Sequence, residues 1–400
     1  MFKQNILSRL SFKKLCSLNY ALCIILASCG VDLDSDDGVK TMDTGFAHTL
    51  AIKNDGTLWA WGLNDKSQLG LGDSLLGINQ SSPQQVGVGT NWKAVATGWY
   101  HTLAIKNDGT LWAWGLNDKG QLGLGNSLLG MNQSSPQQVG VDEDWKFVIA
   151  GEKHTLAIKN DGSLYAWGEN DLGQLGLGDD TDRAFPFQVG VDKDWKSVST
   201  NWDHTLAIKD GSLYAWGANF YGQLGNGEAG STATKYQPVP IGTAQDWKSV
   251  ATGGNHTLAI KNDGSLHAWG LGGQGQLGFE PDDTFYHRQT TPKRVGFDND
   301  WEYVAAGCYH TIAQKKNSTI YAWGLNVNGQ LGLGAQNITI QETPQRLGSA
   351  ADLVAVSARE THSVALRRSG ILWAWGSNGN GQLGDGTNNN RFLPGAVKWE

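Results

Sequence analysis

Histidine recurs along this chain at His48, His101, His154, His204, His256, His310 and His362, at intervals of 53, 53, 50, 52, 54 and 52 residues. Imidazole is the commonest metal ligand and a frequent general base at neutral pH, so a regular series of it invites a metal or catalytic reading. The spacing argues against both. One histidine per unit spreads the series over as many units as there are copies, whereas zinc needs three or four ligands each about 2 Å from one ion. The series therefore reads as structural, each imidazole fixing a turn and requiring a hydrogen-bond partner once buried. His267 and His287 stand outside it, with no companions at ligand spacing. Gly273, Gly275 and Gly278 match the dinucleotide fingerprint, but that motif needs a following helix to hold the pyrophosphate, and these glycines belong to a repeated Gly-Gln-Leu-Gly turn. No Walker loop, Gly-x-Ser-x-Gly or nucleophilic Cys-His pair is present, and the carboxylates scatter over turns. No catalytic residue, metal or cofactor is expected, and the chain reads as a non-enzyme.

The elements that carry the histidines repeat with them, and a fixed period near 50 residues marks a repeat architecture. In one unit, Trp92 to Gly98 and Thr102 to Lys106 alternate apolar and polar residues, as half-buried strands do. Leu111 to Gly115 makes a third strand, joined to the second through Asn107-Asp108-Gly109, a strong hairpin signal. A looser fourth strand falls at Pro136 to Val139. Glycine, 54 of 400 residues, is about twice its usual ~7 % share, which suits so many turns. The ordered set Gly-x-x-His-Thr, Asp-Gly, Trp-Gly, Gly-Gln-Leu-Gly and Pro-x-x-Val resembles the regulator of chromosome condensation repeat over residues 39 to 400. That resemblance implies an all-β fold, a seven-bladed β-propeller of four-stranded antiparallel blades. Units fall near 39–91, 92–144, 145–194, 195–246, 247–300, 301–350 and 351–400. Two departures stand out at the ends: Val39 replaces the tryptophan that usually opens a unit, and Trp399 appears where no further unit follows. In blade six, Asn317-Ser318-Thr319 lacks the hairpin glycine, so that turn is expected to be the least regular.

Residues 1 to 28 read as a leader. Lys3, Arg9, Lys13 and Lys14 precede the apolar run Ala21 to Ala27, which is too short for a spanning helix. Leu26-Ala27-Ser28-Cys29 resembles a bacterial lipobox, which implies lipidation of Cys29 and a lipid-anchored, exported protein of the cell envelope. Gly30 rather than Asp after the cysteine points to the outer membrane. Residues 29 to 38 then form an acidic linker. Losing the leader would make the chain four charges more acidic than its formal -7, which disfavours nucleic-acid binding. Cys16 and Cys23 lie in the leader and Cys29 takes lipid, leaving Cys308 with no disulfide partner. A monomer is expected.

Within the Gly-x-x-His frame the middle residues vary, and they sit on the turn from the first to the second strand. Phe46, Trp99, Tyr100, Trp202 and Tyr309, with Glu152, Lys153, Asp203 and Glu360, would decorate one rim. Exposed aromatics beside a few charges have the composition of a binding surface. The leading function is a non-enzymatic propeller that binds a protein partner through this rim. The resemblance implies two alternatives: guanine-nucleotide exchange on a small GTPase, as in the family's namesake, or secreted inhibition of an enzyme of the β-lactamase type. A carbohydrate-binding propeller using Trp99 or Trp202 is a third.

Overall fold

The computed structural model describes residues 38–334, 337–348 and 352–399. The leader, Cys29 and the acidic linker up to residue 37 lie outside the described residues. Alternation and Asp-Gly turns produce seven separate four-stranded sheets, each antiparallel and each in simple chain order. In the first blade, strand a is Val39–Thr44, b is His48–Lys53, c is Leu58–Gly62 and d is Gln80–Gln85. The second blade repeats this at Trp92–Thr97, His101–Lys106, Leu111–Gly115 and Gln133–Gln138. Strand d thus begins earlier than the Pro-x-x-Val signature suggests, because a register shift between Ala113 and Gly115 lets strand c continue its pairing to Gln133. Among the described residues helix is limited to single turns at Asp73–Leu75 and Asn126–Leu128.

Strand a of every blade touches strand a of both neighbours, and blade one meets blade seven, so the ring closes with the a strands around the axis. The core lies between blades. Each of seven apolar clusters joins residues of adjacent sheets, as Leu50, Ile52 and Leu69 of blade one do with Trp92, Val95 and Trp114 of blade two. Every strand c carries a fully buried tryptophan, Trp61 through Trp375, and its indole N–H reaches out of its own sheet. Trp114 Nε1 donates to the Gln68 carbonyl of the preceding blade at 3.0 Å, and Thr102 Oγ1 donates to the same oxygen at 2.8 Å. That arrangement returns at each junction, through Gln121, Gln174, Gln223, Gln276, Gln330 and finally Gln382, which accepts from Thr49 and Trp61.

The seven histidines belong to this lacing. In five blades the ring lies against the glycine that follows strand a, and in all seven its Nε2 reaches a hydroxyl of the next blade: His48 to Thr102, His101 to Thr155, His154 to Thr200, His204 to Thr257, His256 to Thr311, His310 to Ser363 and His362 to Thr49, at 2.7 to 3.3 Å. The partner expected for each imidazole therefore lies across the blade boundary. Blade six also corrects an expectation. Ser318 adopts φ +65° and the hairpin keeps the bonds of its siblings, Lys315 N to Thr319 O at 2.9 Å and Ser318 N to Lys315 O at 2.8 Å. Asn317 Oδ1 stands in for the usual aspartate, accepting from Thr319 N and Oγ1.

The ring is sealed at its ends by Trp399. Its indole packs edge-on against Trp59 and Trp61 at 5.6 and 5.8 Å, with the Lys53 ammonium 4.6 Å from its centroid. Trp92 holds the same relation to Trp112, Trp114 and Lys106. The last aromatic of the chain thus fills the place that Val39 leaves empty in the first blade.

Candidate functional site at the channel mouth

Strand a runs toward one face, so all seven a-to-b turns meet there around the axis, beside the c-to-d loops. The ion pair between Lys153 on such a turn and Asp118 on a neighbouring c-to-d loop, at 2.9 Å, shows the two sets side by side. Backbone bonds lace the turns together: Phe46 N to Gly98 O, Trp99 N to Glu152 O and Cys308 N to Glu360 O. At this short radius the side chains of distant blades reach one another.

The rings do not stand apart around a rim. Tyr100 packs on Phe46 at 5.4 Å, Phe46 on Trp99 at 5.3 Å, Trp99 on Trp202 at 6.0 Å and Trp202 on Tyr309 at 6.2 Å. This unbroken file draws on blades one, two, four and six, and all five rings are half-buried. Glu360 of blade seven is 8 % exposed, a correction to its place as an exposed rim charge. The cause is two indoles: Trp99 Nε1 and Trp202 Nε1 both donate to Glu360 Oε1, at 3.1 and 2.9 Å. The Cys308 thiol donates to the same carboxylate, and Cys308 is buried and free of any disulfide.

The remaining predicted residues flank this file. Glu152 and Asp203 are half-buried near each other; Asp203 accepts from Gln174 Nε2 at 3.3 Å. Burial, with the Asp203 and Glu169 carboxylates adding to it, pushes Glu152 up to about 7. Burial likewise lifts Asp203 to about 6, helped by Glu169 and Asp171. Glu360 is raised by burial against the pull of its indole donors, and the Tyr309 phenol is pushed up to about 12, again first by burial. The mouth is a place where carboxyls change charge near neutrality.

Beneath it lies an axial cavity of about 130 Å³, lined by strand a of all seven blades. Three charged residues line it that the reading of turns overlooked: Asp43, Arg359 and, exposed, Glu302. Asp43 is held by Thr97 N and Oγ1 at 2.8 and 2.9 Å and by Ser357 Oγ at 3.1 Å, while Ser357 Oγ also meets Thr44 Oγ1 at 2.7 Å. Arg359 Nη1 donates to the Thr97 carbonyl at 2.9 Å. These bonds tie blades seven, one and two. Their signal was present as a break in the repeat: Asp43 stands where other units have Ala96, Ile149, Ser199, Ala251, Ala305 and Ser357, and Arg359 stands where most have glycine.

Geometry thus defines a class, a closed seven-bladed propeller whose axial end is capped by aromatics and acids. The RCC1-like domain profile matches residues 183–399, and profiles of the regulator of chromosome condensation repeat match residues 55–105 and 108–158, and 39–68, 92–121 and 146–174. The chain belongs to the regulator of chromosome condensation (RCC1) repeat family. It is 34 % identical over 364 residues to the ultraviolet-B receptor UVR8 of Arabidopsis thaliana, covering 90 % of this chain and 70 % of that protein. Yeast RCC1 (Prp20), solved bound to Kap60, superposes with a TM-score of 0.77 at 23 % identity, over 99 % of this chain and 91 % of that one. Prp20p of Saccharomyces cerevisiae, described with its binding properties to Gsp1p and histones, gives 0.76 at 24 % identity over 91 % and 87 %. The solved structures speak to the fold.

Proposed function

We propose that this protein is a non-enzymatic binding propeller, tethered to a bacterial envelope membrane through lipid on Cys29, that captures a protein partner at the channel mouth. The observation that carries the reading is the file Tyr100–Phe46–Trp99–Trp202–Tyr309, five rings in continuous contact at one face. Aromatic anchors contribute disproportionately to protein interfaces, and a buried indole N–H needs a hydrogen-bond partner. Glu360 is that partner here, accepting from both indoles. That yeast Prp20 was crystallised with Kap60 supports a protein as the partner, since it shows a propeller of this fold in a protein complex. For the anchor, support comes from Leu26-Ala27-Ser28-Cys29 behind a basic and then apolar segment.

The full chain, beside a variant carrying Trp99→Ala, Tyr100→Ala, Trp202→Ala and Tyr309→Ala, is incubated with envelope extracts. A protein retained by the first and lost from the second, with equal far-ultraviolet circular dichroism, is the expected result. Equal retention by both forms overturns the mouth as the binding surface. The tether is tested by metabolic palmitate labelling, in which Cys29→Ser must abolish the label.

A further inference from the structure

In five blades the residue that follows strand a and opens the turn is glycine: Gly45, Gly98, Gly151, Gly253 and Gly307. The histidine ring explains it, because a Cβ added at Gly98 would lie 2.1 Å from His101 Cε1. Blade seven breaks this rule with arginine. Its strand a, Leu353–Arg359, runs on to pair Arg359 with His362, and Glu360 takes the positive φ of +38° that the tighter turn demands. The result is a guanidinium facing the channel, 7 % exposed.

That guanidinium is half used. Nη1 donates to the Thr97 carbonyl at 2.9 Å, whereas Nε and Nη2 have no partner in the protein. These are the two N–H groups that lie parallel along one edge of the planar group, spaced to meet both oxygens of a carboxylate. Asp43 does not fill the place, since its oxygens are engaged by Thr97 and Ser357. Two further polar atoms lining the same cavity are also without partners, Ser249 Oγ and Asn201 Oδ1. The rest of the wall mixes apolar side chains, Ile149, Val250, Ala251 and Ala305 among them, with hydroxyls such as those of Ser197, Ser199 and Thr252. An apolar cavity of about 150 Å³ holds benzene, so the 130 Å³ here suits a carboxylate on a short apolar body.

We propose that the channel binds a small organic carboxylate, its oxygens on Nε and Nη2 of Arg359 and its apolar body against Ile149, Val250 and Ala251. Entry is from the end marked by the exposed Glu302, because the indoles and Glu360 cover the other. Burial raises the Asp43 and Glu360 carboxyls, and neither of them bonds Nε or Nη2 of Arg359. This site is independent of the partner-binding mouth and would stand if that reading failed.

The full chain is titrated calorimetrically with propionate, benzoate, propionamide and inorganic phosphate. Saturable binding of propionate or benzoate in the millimolar range or tighter is expected, with propionamide at least tenfold weaker. Arg359→Lys keeps the charge but loses the parallel pair of donors, so affinity falls at least tenfold. Ser249→Leu fills the cavity without touching Arg359, and it abolishes binding while the melting temperature is retained; this keeps the test decisive should the arginine variant misfold. Absence of saturable binding, propionamide or phosphate binding as tightly as the carboxylates, or indifference to Ser249→Leu overturns the proposal.

Discussion

A hydroxyl has one proton, and that fact fixes the state of the histidine ring. Thr102 donates its proton to the Gln68 carbonyl at 2.8 Å, so it can only accept from His48, and Nε2 must carry the hydrogen. The same logic runs round most of the ring and makes these imidazoles neutral Nε2–H tautomers. Burial then holds His48, His154, His204, His256, His310 and His362 at about 3, and His101 well below its ordinary value. Because the folded pKa lies below the unfolded one near 6.5, the unfolded chain binds more protons as pH falls between the two. The associated stability is complete above pH 6.5 and is lost on acidification, at about 1.4 kcal/mol per pH unit for each histidine. Six carboxyls with raised pKa values, Asp43, Glu152, Glu169, Asp194, Asp203 and Glu360, act the other way and offset part of the effect of the seven histidines. The melting temperature should drop from pH 6.5 to 5, with net proton uptake on unfolding; a flat or rising profile would contradict the dominance of the buried imidazoles. At the mouth, Glu360→Gln supplies a weaker, uncharged acceptor to Trp99 and Trp202. Tryptophan emission is expected to shift, and an unchanged spectrum would contradict the shared indole bonds.

At the scale of the element, Trp399 makes a clear case. It restores to blade one the edge-on stack that every strand-a tryptophan makes in blades two to six, and it does so from the far end of the chain. Trp399→Ala should cost about 2 kcal/mol, less than the 3–5 typical of a fully buried tryptophan because the ring is only half-buried. Phe285→Ala, at a side chain 81 % exposed, should change stability by less than about 0.5 kcal/mol; comparable losses in both would remove Trp399 from the closure. The strands themselves were legible from alternation and Asp-Gly, since both signals are local. The mouth was legible as a set of residues but not as a place, because nothing in a turn sequence tells that Trp99 and Glu360, 261 positions apart, share a bond. Ser318 shows the converse. A missing glycine predicts an irregular hairpin, yet a serine in the left-handed region, backed by the Asn317 side chain, preserves the turn. Asp43 and Arg359 were legible only by comparing units with one another and asking which broke the frame.

For the molecule as a whole, the formal charge of -7 predicts no measurable affinity for duplex DNA at about 0.15 M salt; salt-dependent binding in a mobility-shift titration would refute this. The ring also has a history written in its joints. Every ordinary blade offers a glutamine carbonyl on one flank and a threonine–tryptophan pair on the other, so any blade can stand next to any other. Such parts are interchangeable, and a copied unit finds compatible neighbours at once, as the near-identity of blades one and two attests. The seam between blades seven and one is different, for there Trp399, Asp43, Ser357 and Arg359 form a lock that fits blades seven, one and two in that order. New units can be spliced in along the arc, but not through the clasp.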